Sequence, residues 1–269
     1  MACGIKTNKG MIGMDPQRVK YHSILELLAK KGWATGVAVT SQVSHATPAA
    51  FSSHVKSRNN QAKIASQMLE NRLDVMFGGG LKYWLARADK RGARDDGKNL
   101  VNIAESYGYK VVEEKDELFK LDKLPAVGLF ANDGMKTDET EPTLAQMSKK
   151  AIELLDEKDE NGFFLMIEGS QIDWEGHQND EEGMVRQLKE FDLAVKEAVD
   201  FAKKDGNTLV IVTSDHETGG LIVEGEFNKP HADWSSGYHT AGDVLLYATG
   251  PGSDVFAGVM DNTEIPKKI

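Results

Sequence analysis

The chain is 269 residues long, 40% apolar, and carries a formal net charge of -10. That length accommodates one large domain or two small ones with a sizeable core, and the acidic balance argues against a protein that binds nucleic acid through phosphate-backbone attraction. One cysteine, Cys3, excludes an intrachain disulfide and a cysteine-rich zinc site; no apolar run approaches a membrane span, and Met1-Ala-Cys-Gly-Ile-Lys lacks the apolar core of a secretory leader.

In chain order, Asp15-Pro16 predicts an N-cap with proline at the first helical position. The helix carries Ile24, Leu25, Leu27 and Leu28 on one side and closes at Gly32. Thr35 to Thr40 reads as a short strand. Pro48 opens the next helix, which puts Thr47 at its N-cap and Arg58 at its end, where a cation complements the helix dipole. Asn60 to Asn71 is a second amphipathic helix. Asp74 to Phe77 is a strand running into Gly78-Gly79-Gly80, a triple that permits a tight turn or close backbone approach but lacks the spacing of a dinucleotide fingerprint. Lys82 to Glu105 is charged and predicts two helical pieces around a solvated loop. Tyr109 to Val112 and Ala126 to Phe130 are strands, and Pro142 to Leu155 is a helix with Leu144, Met147, Ala151, Ile152 and Leu155 on its inner face.

Phe163 to Ile167 is a continuous apolar run, as expected of a strand buried on both faces, and it stops at Glu168-Gly169. Asp180 to Lys204 is a long helix. Thr208 to Thr213 predicts a second buried strand, ending in Ser214-Asp215-His216-Glu217-Thr218-Gly219-Gly220. A polar linker then carries His231, Asp233 and Trp234, and Val244 to Ala248 is a further strand. Strands alternating with helices imply an α/β fold with a largely parallel central sheet and helices on both faces. In such sheets ligands bind beyond the carboxyl ends of the strands. Glu168, Asp215, His216 and the loop holding Thr47 all fall there.

Asp173 and His177 are spaced D-x-x-x-H, so on a helix they share one face and can grip one metal ion. Alone, the pair reads more readily as a capping aspartate and a surface histidine, since such pairs are common on solvated helix faces. Together with His239 it makes a three-ligand site with room for water or substrate, as catalytic zinc requires. Asp215 and His216 would begin a second site. Glu168 and the Thr47 hydroxyl are hard oxygen donors suited to magnesium. Two close metals clamp an in-line phosphoryl transfer, and Arg58 can hold two phosphate oxygens in a fork. His22, His54 and His231 read as surface or packing residues.

Over nearly its whole length the chain resembles alkaline phosphatases of the compact bacterial kind. The resemblance is carried by G-I-K-T-N-K-G, H-A-T-P-A-A-F, H-V-K-S-R, F-G-G-G, P-T-L-A-Q-M, E-G-S-Q-I-D-W-E-G-H, S-D-H-E-T-G-G and G-Y-H-T-A-G-D-V. It implies an alkaline phosphatase-like three-layer sandwich forming a single domain over residues 1–269. It further implies hydrolysis of small phosphate monoesters through a phosphoserine intermediate, with two zinc ions and one magnesium ion as cofactors. Asp173, His177 and His239 would hold the first zinc, Asp215 and His216 the second, and Glu168 and Thr47 the magnesium. Arg58 would bind the phosphate, with His45 and Trp174 tuning the magnesium site and the substrate. Homodimers and a periplasmic or extracellular location are implied in the same way. The family's nucleophilic serine and one bridging aspartate match no residue here. The expectation is therefore a fragment truncated at both ends, missing an N-terminal strand and nearly inert alone. Sulfatase-like or phosphodiesterase-like relatives, and a non-enzymatic zinc-binding fragment, stay open as alternatives.

Overall fold

The structure, a computed structural model, describes residues 1–157, 161–226 and 229–269. The chain divides into two compact units, one of Met1–Glu168 with Met260–Ile269, the other of Gly169–Val259.

The first unit is built on a parallel five-stranded sheet. Its strands are β1 (Ala34–Gln42), β2 (Val75–Gly79), β3 (Lys110–Val112), β4 (Ala126–Leu129) and β5 (Phe163–Glu168), in the order β3-β4-β2-β1-β5. Every residue of β1 is buried, as a central strand covered on both faces requires. Alternate side chains of β1 serve opposite faces. On one, Val37 and Val39 join a core with Leu25 of α1 (Ile24–Lys30) and Ile64 and Met68 of α3 (Gln61–Glu70). On the other, a Cβ on Gly36 would lie 3.1 Å from Leu155 Cδ1, so glycine lets α6 (Leu144–Glu157) press directly on the strand. The expected α/β sheet with helices on both faces is therefore present.

Several local expectations are corrected. The first helix starts not at Asp15-Pro16 but at Ile24. There Ser23 accepts from the Glu26 N–H while the Glu26 carboxylate accepts from the Ser23 N–H, a reciprocal capping box. Asp15 instead closes a turn, its side chain accepting from Val19 N–H at 2.8 Å. The helix after β1, α2 (Ala46–Ser52), has His45 at its N-cap position without a side-chain capping bond, so Thr47 lies inside its first turn. That helix ends at Ser52, because Val55 pairs with Ile12 in an antiparallel bridge; Arg58 sits beyond it, its N–H donating to the Gly10 carbonyl at 2.7 Å. The segment from Lys82 to Glu105 does run between two helical pieces, a 3-10 turn at Leu81–Tyr83 and a later helix, through a loop exposed at 87–91 and 95–98, but one buried arginine anchors that loop. The Arg94 guanidinium is 1% exposed. It donates to the carbonyls of Ala62 (2.6 Å) and Tyr83 (2.9 Å) and pairs with Asp96. Only α4 (Leu100–Ser106) follows as a true helix. Gly78-Gly79-Gly80 does serve close backbone approach: a Cβ on Gly79 would stand 2.1 Å from the Asp133 carbonyl oxygen.

The second unit contains α7 (Gln171–Gln178) and the 25-residue α8 (Glu181–Asp205), which Asp180 caps by accepting from the Gly183 N–H. β6 (Val210–Thr213) pairs antiparallel with β11 (Leu246–Thr249) in a two-stranded sheet of their own. β6 is half-buried throughout, not fully buried as expected: α8 packs against it, but its partner β11 is largely exposed. The expected linker around His231, Asp233 and Trp234 is instead one strand of a hairpin, β8 (Leu221–Glu226) with β9 (Lys229–Trp234). Among the described residues no helix is long and apolar enough to cross a membrane.

Candidate metal centre

In the second unit, one turn of α7 carries both members of the D-x-x-x-H pair, with His177 Nε2 3.6 Å from Asp173 Oδ1. The short strands β7 (Glu217–Thr218) and β10 (His239–Thr240) pair antiparallel with Thr218 opposite His239. His239 Nε2 comes within 3.4 Å of the same Asp173 oxygen. The His216 ring stacks on His239 at 3.6 Å between centroids, and its Nε2 is 3.3 Å from Asp215 Oδ2. Asp173, His216 and His239 each offer a ligand atom within 4.8 Å of the others. Donors about 2.0 Å from a tetrahedral ion stand roughly 3.3 Å apart, so the spacings match those around one or two small cations.

The hydrogen bonds fix which ring nitrogens face inward. His177 Nδ1 lies 3.0 Å from the Gly237 carbonyl, which can only accept, so Nδ1 carries the proton and Nε2 offers its lone pair. The Thr218 hydroxyl has one hydrogen, which it donates to Asp173 Oδ1 at 2.6 Å. Toward His216 Nδ1, 3.2 Å away, the hydroxyl oxygen therefore accepts, and His216 Nε2 is left unprotonated. Metal-binding imidazoles are held in this way by a second partner on the far nitrogen. The His239 ring is 32% exposed, yet its Nε2 is buried with no hydrogen-bond partner. Burial, reinforced by His216 and His177, holds His239 below the ordinary imidazole range against the pull of Asp173. That favours the neutral form, the form that binds metal. A buried, unpartnered Nε2 amid aligned lone pairs fits a divalent cation.

Thr218, Glu217 and the Gly237 carbonyl have no sequence signal beyond their motifs, yet they hold this cluster. Glu217 accepts from the backbone N–H groups of Gly220 (3.1 Å) and Leu221 (3.2 Å) and from the Thr240 hydroxyl. It thus ties the root of the β8–β9 hairpin to the strand bearing His239. Gly219 and Gly220 both have positive φ, and a Cβ on Gly219 would meet the Trp234 ring at 2.5 Å. Trp174 is half-buried on α7 beside Asp173.

The other candidates belong to the first unit. Glu168 is the last residue of β5, opposite Val39 of β1. His45 and Thr47 follow β1 directly, so all three lie at the carboxyl edge of the parallel sheet. Arg58 Nη2 is 3.0 Å from His45 Nε2. Arginine only donates, so this His45 nitrogen accepts.

A sequence profile of the alkaline phosphatase family matches residues 1–230. Alkaline phosphatase 3 of Bacillus subtilis is 34% identical, over 100% of this chain and 74% of that protein. The alkaline phosphatase of Escherichia coli K12 is 31% identical, over 97% of this chain and 69% of its own length. Among solved structures, alkaline phosphatase from the Antarctic bacterium TAB5 superposes with a TM-score of 0.90 at 36% identity, covering 99% of this chain and 80% of that one. A histidine-to-glutamate variant of that enzyme, described with Mg bound in its M3 site, superposes with a TM-score of 0.89 at 36% identity over the same shares.

Proposed function

Since the chain belongs to the alkaline phosphatase family, whose named members are phosphoric monoester hydrolases, we propose that its residues supply the metal- and phosphate-binding part of a site that hydrolyses small phosphate monoesters through a phosphoserine intermediate. The supporting observation is Asp173 Oδ1, approached by His177 Nε2 at 3.6 Å and His239 Nε2 at 3.4 Å, with no hydrogen bond to the latter. In this proposal Asp173, His177 and His239 hold one zinc ion, Asp215 and His216 a second, and Glu168 with Thr47 one magnesium ion. When bound, these ions supply Lewis-acid activation and neutralise developing phosphoryl charge.

The chain's own groups bind and orient. Thr218 keeps Asp173 aimed and His216 in one tautomer; Gly237 does the same for His177. Arg58 donates two parallel N–H groups to the phosphate, and His45, which accepts from Arg58, holds that guanidinium in place. Trp174 lines the substrate side of α7. No serine of this chain is assigned as the nucleophile, so the 269 residues alone are expected to turn over esters far more slowly than intact relatives. A single domain, a homodimeric enzyme and a periplasmic or extracellular location belong to the same proposal.

Metal content tests it without requiring turnover. The full chain, stripped and then dialysed against zinc and magnesium, should retain both by elemental analysis. Asp173→Asn and His239→Ala should each lose zinc, and Arg58→Ala should lose orthovanadate binding while keeping its metals. Zinc content indifferent to both cluster substitutions would refute the assignment.

A further inference from the structure

A second group of donors lies in the first unit, and the phosphatase reading uses none of them. His54 Nε2 is 2.9 Å and 3.1 Å from the two carboxylate oxygens of Glu26, and His22 Nδ1 is 3.6 Å from Glu26 Oε2. All three residues offer a ligand atom within 4.8 Å of one another. Both the His54 and Glu26 side chains are 12% exposed, whereas His22 is open to solvent. The spacings of 2.9 and 3.6 Å bracket the roughly 3.3 Å between neighbouring donors of a tetrahedral N/O site.

The surroundings orient the inner two donors. His54 Nδ1 is 2.7 Å from the Gly13 carbonyl, which only accepts, so that nitrogen is the protonated one. A neutral ring would turn a lone pair on Nε2 toward a carboxylate, and two acceptors at this distance need a cation between them; without metal that cation is a proton, which the Glu26 carboxylate holds on His54 above the ordinary imidazole range, and a metal ion would have to displace it. Gly13 is what admits the arrangement. Its φ is +62°, and a Cβ there would lie 2.4 Å from His54 Nδ1. The remaining Glu26 hydrogen bond, from the Ser23 N–H at 2.8 Å, anchors the carboxylate to the helix cap.

We propose that Glu26, His54 and His22 form a binding site for a zinc-type divalent cation, distinct from the cluster around Asp173. Carboxylate plus two imidazoles is a borderline-soft donor set that suits zinc over magnesium or calcium, and the exposed side of His22 leaves a fourth position for water. The ion would join three segments: the turn before α1, α1 itself, and the strand-like stretch after α2. Besides that proton, one further group opposes it. Lys30 Nζ is 2.7 Å from His22 Nε2, and an ammonium only donates, so that nitrogen accepts and Nδ1 carries the proton. For His22 Nδ1 to bind metal, Nε2 must take the proton and Lys30 must move away. Lys30 is therefore a competitor, and its removal should tighten binding.

The test is zinc titration of the metal-stripped full chain, read by zinc retained per chain and by amide exchange of residues 13–26. His22→Ala and Glu26→Gln should each bind one equivalent fewer than the parent and lose zinc-dependent protection of that segment. Glutamine preserves the capping box, so Glu26→Gln keeps its fold. Lys30→Met should bind the same number of ions with that site about threefold or more tighter, since a competing hydrogen bond of even ~0.7 kcal/mol is removed. Retention of the full zinc complement and of segment protection in both ligand variants would overturn the proposal, as would weaker binding in Lys30→Met.

Discussion

The two units draw on similar apolar sequence and reach different states. In the first, β1, β2 and β4 are buried from end to end, flanked by helices that fill both faces of the sheet. In the second, β6 has the sequence Val-Ile-Val-Thr and is only half-buried, while β8 is exposed along its whole length. An apolar recess of about 550 Å³ even opens between α8 and β6, lined by Leu188, Phe191, Val195, Val199 and Val212. Order around Asp173 rests instead on polar bonds: Thr218 to Asp173, Glu217 to Thr240, Gly237 to His177. The first unit is held by packing and the second by a polar lattice that wants a cation at its centre.

That contrast can be broken most directly by removing metal. Chelation should speed amide exchange in α7, β7 and β10 by on the order of a thousandfold, about 4 kcal/mol if the ion is present at a thousand times its Kd. The strands β1, β2 and β4 should not change. Equal loss of protection in both units would erase the distinction. Next in size, Arg94→Met should cost the first unit about 2–4 kcal/mol in denaturant unfolding, because the half-buried carbonyls of Ala62 and Tyr83 lose the donor that the buried guanidinium supplies. A cost under about 0.5 kcal/mol, typical of a surface change, would mean that packing alone holds the 81–100 segment.

Thr218→Val keeps the shape and removes the shared hydroxyl. Zinc affinity should fall about 10- to 100-fold with the melting temperature of the first unit untouched; unaltered affinity would show that Asp173 needs no orienting partner. The smallest effect concerns Asp133. Burial pushes its carboxyl up, but hydrogen bonds from Lys82 and Gln42 outweigh this and leave it below the usual carboxylate range. A depressed carboxylate contributes stability that is complete above its unfolded pKa and lost as pH falls through the lower folded value. Asp133→Asn should flatten the acid limb of the pH–stability curve below about pH 4 and leave neutral pH nearly unaffected; an unchanged acid limb would exclude this pair as a contributor.

Sequence made some of this legible and hid the rest for physical reasons. The alternation of strands and helices, the presence of β1 and the helical Asp173–His177 pair could be read because each follows from local pattern, whereas burial on both faces was expected of β5, which is only half-buried. The start of α1 was readable too, since Ser23 and Glu26 stand in the S-x-x-E spacing of a capping box, but Asp15-Pro16 offered a competing signal that a turn absorbed. The hairpin of β8 and β9 was hidden by its polar composition, and the end of α2 by the pairing of Val55 with Ile12, a long-range contact that propensity does not see. Thr218 could not be picked out because its role depends on an acceptor, Asp173, and a donor, His216, meeting at its hydroxyl, and His54 because its orientation depends on a carbonyl 41 positions away in the chain.

Glu217 grips the base of an exposed hairpin with both oxygens, and one of them, Oε2, also accepts from Thr240 on the strand that carries His239. Such a joint acts as a lever: a load fastened near Val223, a bulky dye or a surface tether, would twist the imidazole behind it. Immobilising this protein through that arm would therefore tune its chemistry, whereas anchoring it by Val19 would leave it alone.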